Sequence, residues 1–228
     1  MKNGDVKNST AADLQVASLV DFAYERLQTL IASGRLAEGS RLIIAELARN
    51  FGTSPIPIRE ALVRLKAERF VTFQPNKGYR VGSKPDTSEL AHLFQARVIL
   101  EVGAIREGLQ NITEDILTEL GAVNVEIASI RVGSSAAANK AFILHNERFH
   151  LLLVSLSANP FVIDAYNRLG YHQRMLHTHY DRGDPDSARV VREHEEIILA
   201  LRTRKNGPVE KALRDHILFG QTRLREAS

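Results

Sequence analysis

The stretch GTSPIPIREALVRLKAERF, Gly52 to Phe70, sets two prolines at the head of a helical run that carries four basic and two acidic residues. Ser54 stands where a helix N-cap belongs, so its hydroxyl is expected to accept from a free backbone N–H, with Pro55 at N1 and Pro57 at N3. The N–H groups of a first turn have no intrahelical partner, so proline costs little there and its fixed φ favours the start. Ile58, Ala61, Leu62 and Leu65 follow at i, i+3, i+4 and i+7 and predict a stripe that packs inward. Ile56, Arg59, Val63 and Lys66 share another face, which is the candidate contact surface.

Upstream, Leu19, Phe22, Ala23, Leu27, Leu30 and Ile31 recur at helical spacing ahead of Gly34 and predict a first helix. AEGSRLI, Ala37 to Ile43, reads as a turn and a short extended piece, and Ile44 to Phe51 as a short second helix closed by Gly52. Downstream, Val71 to Gln74 and Tyr79 to Val81 are β-prone runs joined by Pro75-Asn76-Lys77-Gly78, a hairpin-turn composition. Helix, short helix, turn, helix, hairpin is the order of a winged helix-turn-helix. GSKPD, Gly82 to Asp86, reads as a linker, and everything after it as helix: segments near 87–109, 113–131, 135–157, 160–179, 186–203 and 208–226. The expected fold is mainly α: an N-terminal winged helix-turn-helix with a small β-hairpin wing, then a C-terminal antiparallel α-helical bundle.

The bulk composition agrees. A chain of 228 residues suits two domains, and no apolar run approaches the roughly 18 residues that cross a bilayer. Met1 to Thr10 is polar and lacks the apolar centre of a signal peptide, so no membrane partner and a cytoplasmic location are expected. The absence of cysteine removes disulfides, thiolate zinc sites and cysteine nucleophiles, leaving His, Asp, Glu and Asn as metal ligands. Net charge is +3, yet residues 1–82 hold 12 Lys and Arg against 8 Asp and Glu, so the basic surplus is N-terminal.

SPIPIREALVRLKAERFVT, together with GRLAEGSRLIIAELARNFG before it and NKGYRV after it, resembles the DNA-binding domain of the GntR family of bacterial transcription regulators. ARVILEVGA (Ala96–Ala104), NERFHLLLVSLSANP (Asn146–Pro160), REHEEIILAL (Arg192–Leu201) and LRDHI (Leu213–Ile217) resemble the all-helical FCD ligand-binding domain of that family's FadR-type branch. The resemblance divides the chain into a flexible arm at 1–15, a DNA-binding domain at 16–82, a linker at 83–87 and an effector-binding and dimerisation domain at 88–228. It implies a homodimer on a near-palindromic double-stranded operator, controlled by a small organic acid, with repression favoured over activation. Arg59 is then expected to reach a guanine edge or a nearby phosphate, Ser54 and Lys66 phosphate, Ile56 a thymine methyl, and Lys77 and Arg80 the minor groove or backbone. Two positions depart from the family: Pro55 stands where many members have arginine, and Ala45 where some place a base-reading arginine.

In the helical part, Asn146 and His150 are four apart on one helix face, and His194 and His216 lie on the last two helices. In the family the matching positions commonly hold Asp, His, His and His around a divalent metal. Three imidazoles suit Zn, Ni, Mn or Fe. Asn146 in place of the carboxylate weakens that metal and leaves more of its charge to attract an anion. Arg97, set among apolar residues, is expected either to hold the acid group of an effector or to pair with Glu101 one turn on; His172 is a second effector candidate. An alternative from another class is a metal-dependent hydrolase or lyase using the three histidines, although HNERFH lacks the His-Glu-x-x-His of a zincin.

Overall fold

The computed structural model describes residues 11–83, 86–169 and 187–226, and the chain divides into two compact units, Met1–Lys84 and Pro85–Ser228.

In the first unit, α1 (Ala11–Ala32) packs along α3 (Pro55–Ala67), with α2 (Ile44–Phe51) against α3. α1 starts inside the stretch expected to be an arm, because Ala11, Ala12, Leu14 and Gln15 are strong helix formers. Ala23, Leu27 and Ile31 of α1 are buried, as are Ile58, Ala61, Leu62 and Leu65 of α3. Gly52 closes α2 at φ 66°, a left-handed conformation that glycine adopts without a Cβ penalty.

Ser54 occupies the N-cap of α3 with extended backbone, but its side chain makes no capping hydrogen bond. The reason lies in the sequence. Pro57 at N3 has no N–H to donate, so the usual partner of a capping hydroxyl is missing. The expected wing is present as β2 (Val71–Gln74) and β3 (Gly78–Val81), turning through Asn76 and Gly78, both at positive φ. A third strand, β1 (Arg41–Leu42), pairs antiparallel with β3 and gives the order β1-β3-β2. Two residues are too few for an alternation signal, so the sequence shows this piece only as extended.

In the second unit, Asp86 and Glu89 form a reciprocal capping box that starts α4 (Thr87–Gly108). A 3-10 turn (Leu109–Asn111) leads to α5 (Glu114–Ser129), α6 (Ala136–Ser155), α7 (residues 160–169), α8 (Ser187–Arg202) and α9 (Asn206–Glu226). α4 packs against α6 and α9, α5 against α6 and α8, and α8 against α9, a bundle around one apolar core that includes Leu90, Phe94, Leu120, Phe149, Leu153, Ile197 and Leu213. The second half of the segment expected at 160–179, with His172, lies outside the described residues.

Five of these helices carry polar residues on the stripe that should be apolar. Arg97 and Glu101 interrupt α4, Asn124 interrupts α5, His150 interrupts α6, Glu193 and His194 interrupt α8, and His216 interrupts α9; all are buried. Most buried polar groups are hydrogen-bonded, so these residues are expected to find partners in one another.

Candidate functional site

His150 of α6, His194 of α8 and His216 of α9 meet in the core of the bundle, with one ring nitrogen of each lying within 4.8 Å of the others. Apolar periodicity brings them there. His150 follows Phe149 on the inward face of α6, and Leu213 and Ile217 flank His216 on the inward face of α9. Phe149 stacks on His194 at 3.7 Å between ring centroids with the planes 3° apart, which fixes the tilt of that imidazole.

Each ring is held from behind through Nδ1. His150 Nδ1 lies 2.7 Å from Glu101 Oε2, His216 Nδ1 lies 2.8 Å from Glu193 Oε2, and His194 Nδ1 lies 3.1 Å from Asn124 Oδ1. Burial would raise the Glu101 carboxyl, but Arg97 and His150 beside it bring it down to about 2. For Glu193 burial is likewise outweighed, by hydrogen bonds from His216 and Arg223 and their charges, again to about 2. Both groups are ionised and can only accept, so Nδ1 of His150 and of His216 carries the proton. Asn124 donates Nδ2 to the Val191 carbonyl at 3.0 Å, which leaves Oδ1 facing His194 as the acceptor of its Nδ1–H.

The imidazoles themselves are neutral. Burial lowers all three: His216 to about 4 against the opposing pull of Glu193, His150 against that of Glu101, and His194 well below the usual histidine range with further repulsion from His216 and His150. A neutral ring protonated at Nδ1 presents a lone pair at Nε2. His150 and His216 therefore point lone pairs at each other across 3.1 Å, and His194 Nε2 is buried without a partner among the described residues. Such an arrangement is repulsive until a positive centre sits between the nitrogens. The donor set, the fixed tautomers and the orphaned atom fit a divalent cation that prefers imidazole nitrogen.

Asn146 lies one turn before His150 on α6, half-buried, and takes no part in the hydrogen bonds around the three rings. Arg97 donates Nε to Glu101 Oε1 at 2.7 Å, so the ion pair considered from sequence is formed. Burial opposes its charge, but Glu101 and then Tyr166 hold its pKa above the ordinary arginine value. Its Nη2 is buried with no hydrogen-bond partner among the described residues. Arg189 and Arg223 both pair with Glu193 at 2.9 Å. A groove of about 280 Å³ between α8 and α9, walled by Glu193, Glu196, Lys211, Asp215 and Phe219, reaches His216 from the surface.

Sequence reasoning found the three histidines, Arg97 and its partner Glu101, but not the supports Asn124, Glu193 and Arg223. A signal for Asn124 was available. Leu117, Leu120 and Ile127 set the buried stripe of α5, and Asn124 falls on it.

In the first unit, Ser54, Ile56, Arg59 and Lys66 are all exposed along α3, and Lys77 is exposed at the wing turn. Arg80 is half-buried and donates to the Gly39 carbonyl at 2.7 Å, bracing the loop before β1. Arg64 pairs with Asp21 at 2.9 Å and lies 4.0 Å over the Tyr24 ring, whose hydroxyl donates to the buried Glu68. These contacts lock α1 to α3.

Residues 19–81 match the bacterial regulatory proteins of the gntR family, and residues 92–219 match the FCD domain. The HTH-type transcriptional regulator YdhC of Bacillus subtilis is 27% identical over 199 residues, which cover 86% of this chain and 84% of YdhC. The HTH-type transcriptional regulator McbR of Escherichia coli is 26% identical over 175 residues, covering 76% of this chain and 77% of McbR. The solved structure of E. coli McbR/YncC aligns with a TM-score of 0.68 at 22% identity over 91% of this chain and 97% of that one, a likeness of fold. No helix among the described residues is long and apolar enough to cross a membrane.

Proposed function

The chain belongs to the GntR family of bacterial transcriptional regulators, with an FCD domain as its second half, and from that premise we propose a dimeric, metal-assisted repressor released by a small carboxylic acid. The family and its relatives are regulators of transcription, which sets aside the hydrolase or lyase reading of the three histidines. The observation that carries the proposal is the convergence of three buried Nε2 lone pairs, each fixed by an oxygen acceptor at its own Nδ1.

His150, His194 and His216 hold the cation, and Zn, Ni, Mn or Fe suits the donors. A cation held by these rings would supply a Lewis-acidic centre to which a carboxylate could bind. The chain's own charges leave that centre uncompensated. Glu101 is balanced by Arg97, Glu193 by Arg189 and Arg223, the imidazoles are neutral, and Asn146 adds no charge. An anion is therefore drawn to the interior, and Nη2 of Arg97, buried with no hydrogen-bond partner among the described residues, is a second point at which a carboxylate could be gripped. Two winged units on a near-palindromic operator occlude transcription. The acid releases them if it binds one arrangement of the dimer better than the other; a coupling of about 1–3 kcal/mol suffices.

The test uses the full-length protein stripped with a chelator and then supplied with each metal. A ligand at 100 times its Kd stabilises by about 2.7 kcal/mol, a readily measured rise in melting temperature. The wild type should show that rise and the His194→Ala protein should not, while elemental analysis should find one metal per chain. A panel of small carboxylic acids should add stability only to the metal-loaded wild type. A metal-induced rise retained by His194→Ala would overturn the assignment.

A further inference from the structure

We infer that α3 reads thymine methyl groups through Ile56 and Val63, with Arg59 between them as its one uncommitted cation. The inference rests on operator binding by the family and concerns which chemical feature of the operator this chain recognises. α3 is sharply two-sided. Ile58, Ala61, Leu62 and Leu65 are all 0% exposed, whereas Ile56 is 61% exposed and Val63 54%. Ile56, Arg59 and Val63 stand at i, i+3 and i+7 and share one face.

The other cations of that helix are already engaged. Arg64 is held by Asp21 and the Tyr24 ring, and the Lys66 ammonium leans toward the wing, 5.7 Å over the Phe73 ring. Arg59 is exposed and has no partner among the described residues. The leading end is apolar too. Pro55 is exposed beside Ile56, and on the preceding helix Ala45 is exposed next to Ile43, which is 39% exposed.

Scattered exposed aliphatics are ordinary on a protein surface. These are aligned on the side of a recognition helix that enters the major groove, where its N-terminal residues meet base edges. In that groove the C5-methyl of thymine is the apolar group that distinguishes one base pair from the others. Seven helical residues span about 10 Å, close to three base-pair steps of about 3.4 Å. The half-site should therefore carry two thymines about three base pairs apart, with a hydrogen-bonding base for Arg59 between them.

The experiment selects duplexes from a random library with the full chain, then replaces each thymine of the enriched site by deoxyuridine. That base pairs identically and lacks only the methyl. Burying one methyl favours binding about fourfold. Deoxyuridine at each of two positions should weaken the wild type by about that factor. Ile56→Ala and Val63→Ala should weaken the thymine duplex to a similar degree, and each should lose discrimination at its own position. Arg59→Ala should weaken binding more strongly while keeping the preference for thymine over deoxyuridine. Equal binding of thymine and deoxyuridine duplexes by the wild type overturns the inference while leaving operator binding intact. Failure to enrich any duplex removes operator binding, and the inference with it.

Discussion

Replacing Glu101 by glutamine should show how the core tolerates its charges. Glu101 is fully buried and accepts from both Arg97 Nε and His150 Nδ1 at 2.7 Å. Glutamine preserves the volume but offers one oxygen where the carboxylate offered two. Its amide group then faces one of two N–H donors, and the Arg97 guanidinium, 5% exposed, loses its counterion. Breaking a buried ion pair from one side costs about 3–5 kcal/mol. For a chain of this length about 1 kcal/mol corresponds to roughly 2–4 °C, so a fall of about 6–20 °C is expected. Arg97→Met should be costly for the mirror-image reason, because it strands a buried carboxylate. The double variant carries neither charge and should be more stable than the summed single losses imply by at least about 2 kcal/mol. Urea unfolding followed by far-UV circular dichroism in the presence of chelator measures all four corners of this cycle. Strictly additive losses, or a Glu101→Gln loss below about 1 kcal/mol, would refute the picture of a mutually dependent buried network.

The metal-free protein should lose stability as pH falls from about 6.5 to 4. Burial makes the native rings of His150, His194 and His216 take up protons less readily than the unfolded chain, whose histidines titrate at an ordinary value near 6.5, so acid favours unfolding; His216, at about 4, alone contributes about 3 kcal/mol over this window. Below that, from the ordinary carboxyl value near 4.5 toward about 2, protonation of Glu101 and Glu193 continues the loss in the same direction. A urea midpoint that stays flat between pH 6.5 and 4 would contradict these assignments. Gly108→Ala should destabilise by about 3 kcal/mol or more, because a Cβ there would sit 2.2 Å from the backbone carbonyl carbon and oxygen of Leu156, an oxygen already bonded to Asn111 at 2.7 Å. Gly103→Ala on the same helix meets nothing within 4 Å and should stabilise by up to about 1 kcal/mol, as thermal melts of the pair would show.

Local rules made much of this fold legible. Helix ends follow from chemistry confined to a few residues, such as Gly52 after α2 or Thr113 before α5, and so can be read from a short window. Where a local rule met a second constraint it failed in a small way. Ser54 sits at its cap position, yet the proline that helps to start the helix also removes the N–H that a capping hydroxyl would take. The site divides along the same line. Arg97 and Glu101 are one turn apart on one helix, so their pairing was readable. Asn124 and His194 are separated by 70 residues, and Glu193 and His216 by 23, so their partnerships arise only when the bundle closes.

That closure also bears on the two roles weighed for Arg97, of which the ion pair is formed. An internal ion pair and an effector contact look exclusive in a sequence, because one charge is given one partner. In the folded chain the pair uses Nε alone, and the planar fork keeps Nη2 buried and without a hydrogen-bond partner among the described residues. Glu101 thus orients the guanidinium while holding the His150 tautomer that turns Nε2 inward. In the proposed switch one carboxylate would set both the anion contact and a metal ligand, so disturbing either should be felt at the other. Acid affinity would then depend on metal occupancy, and metal affinity equally on the acid.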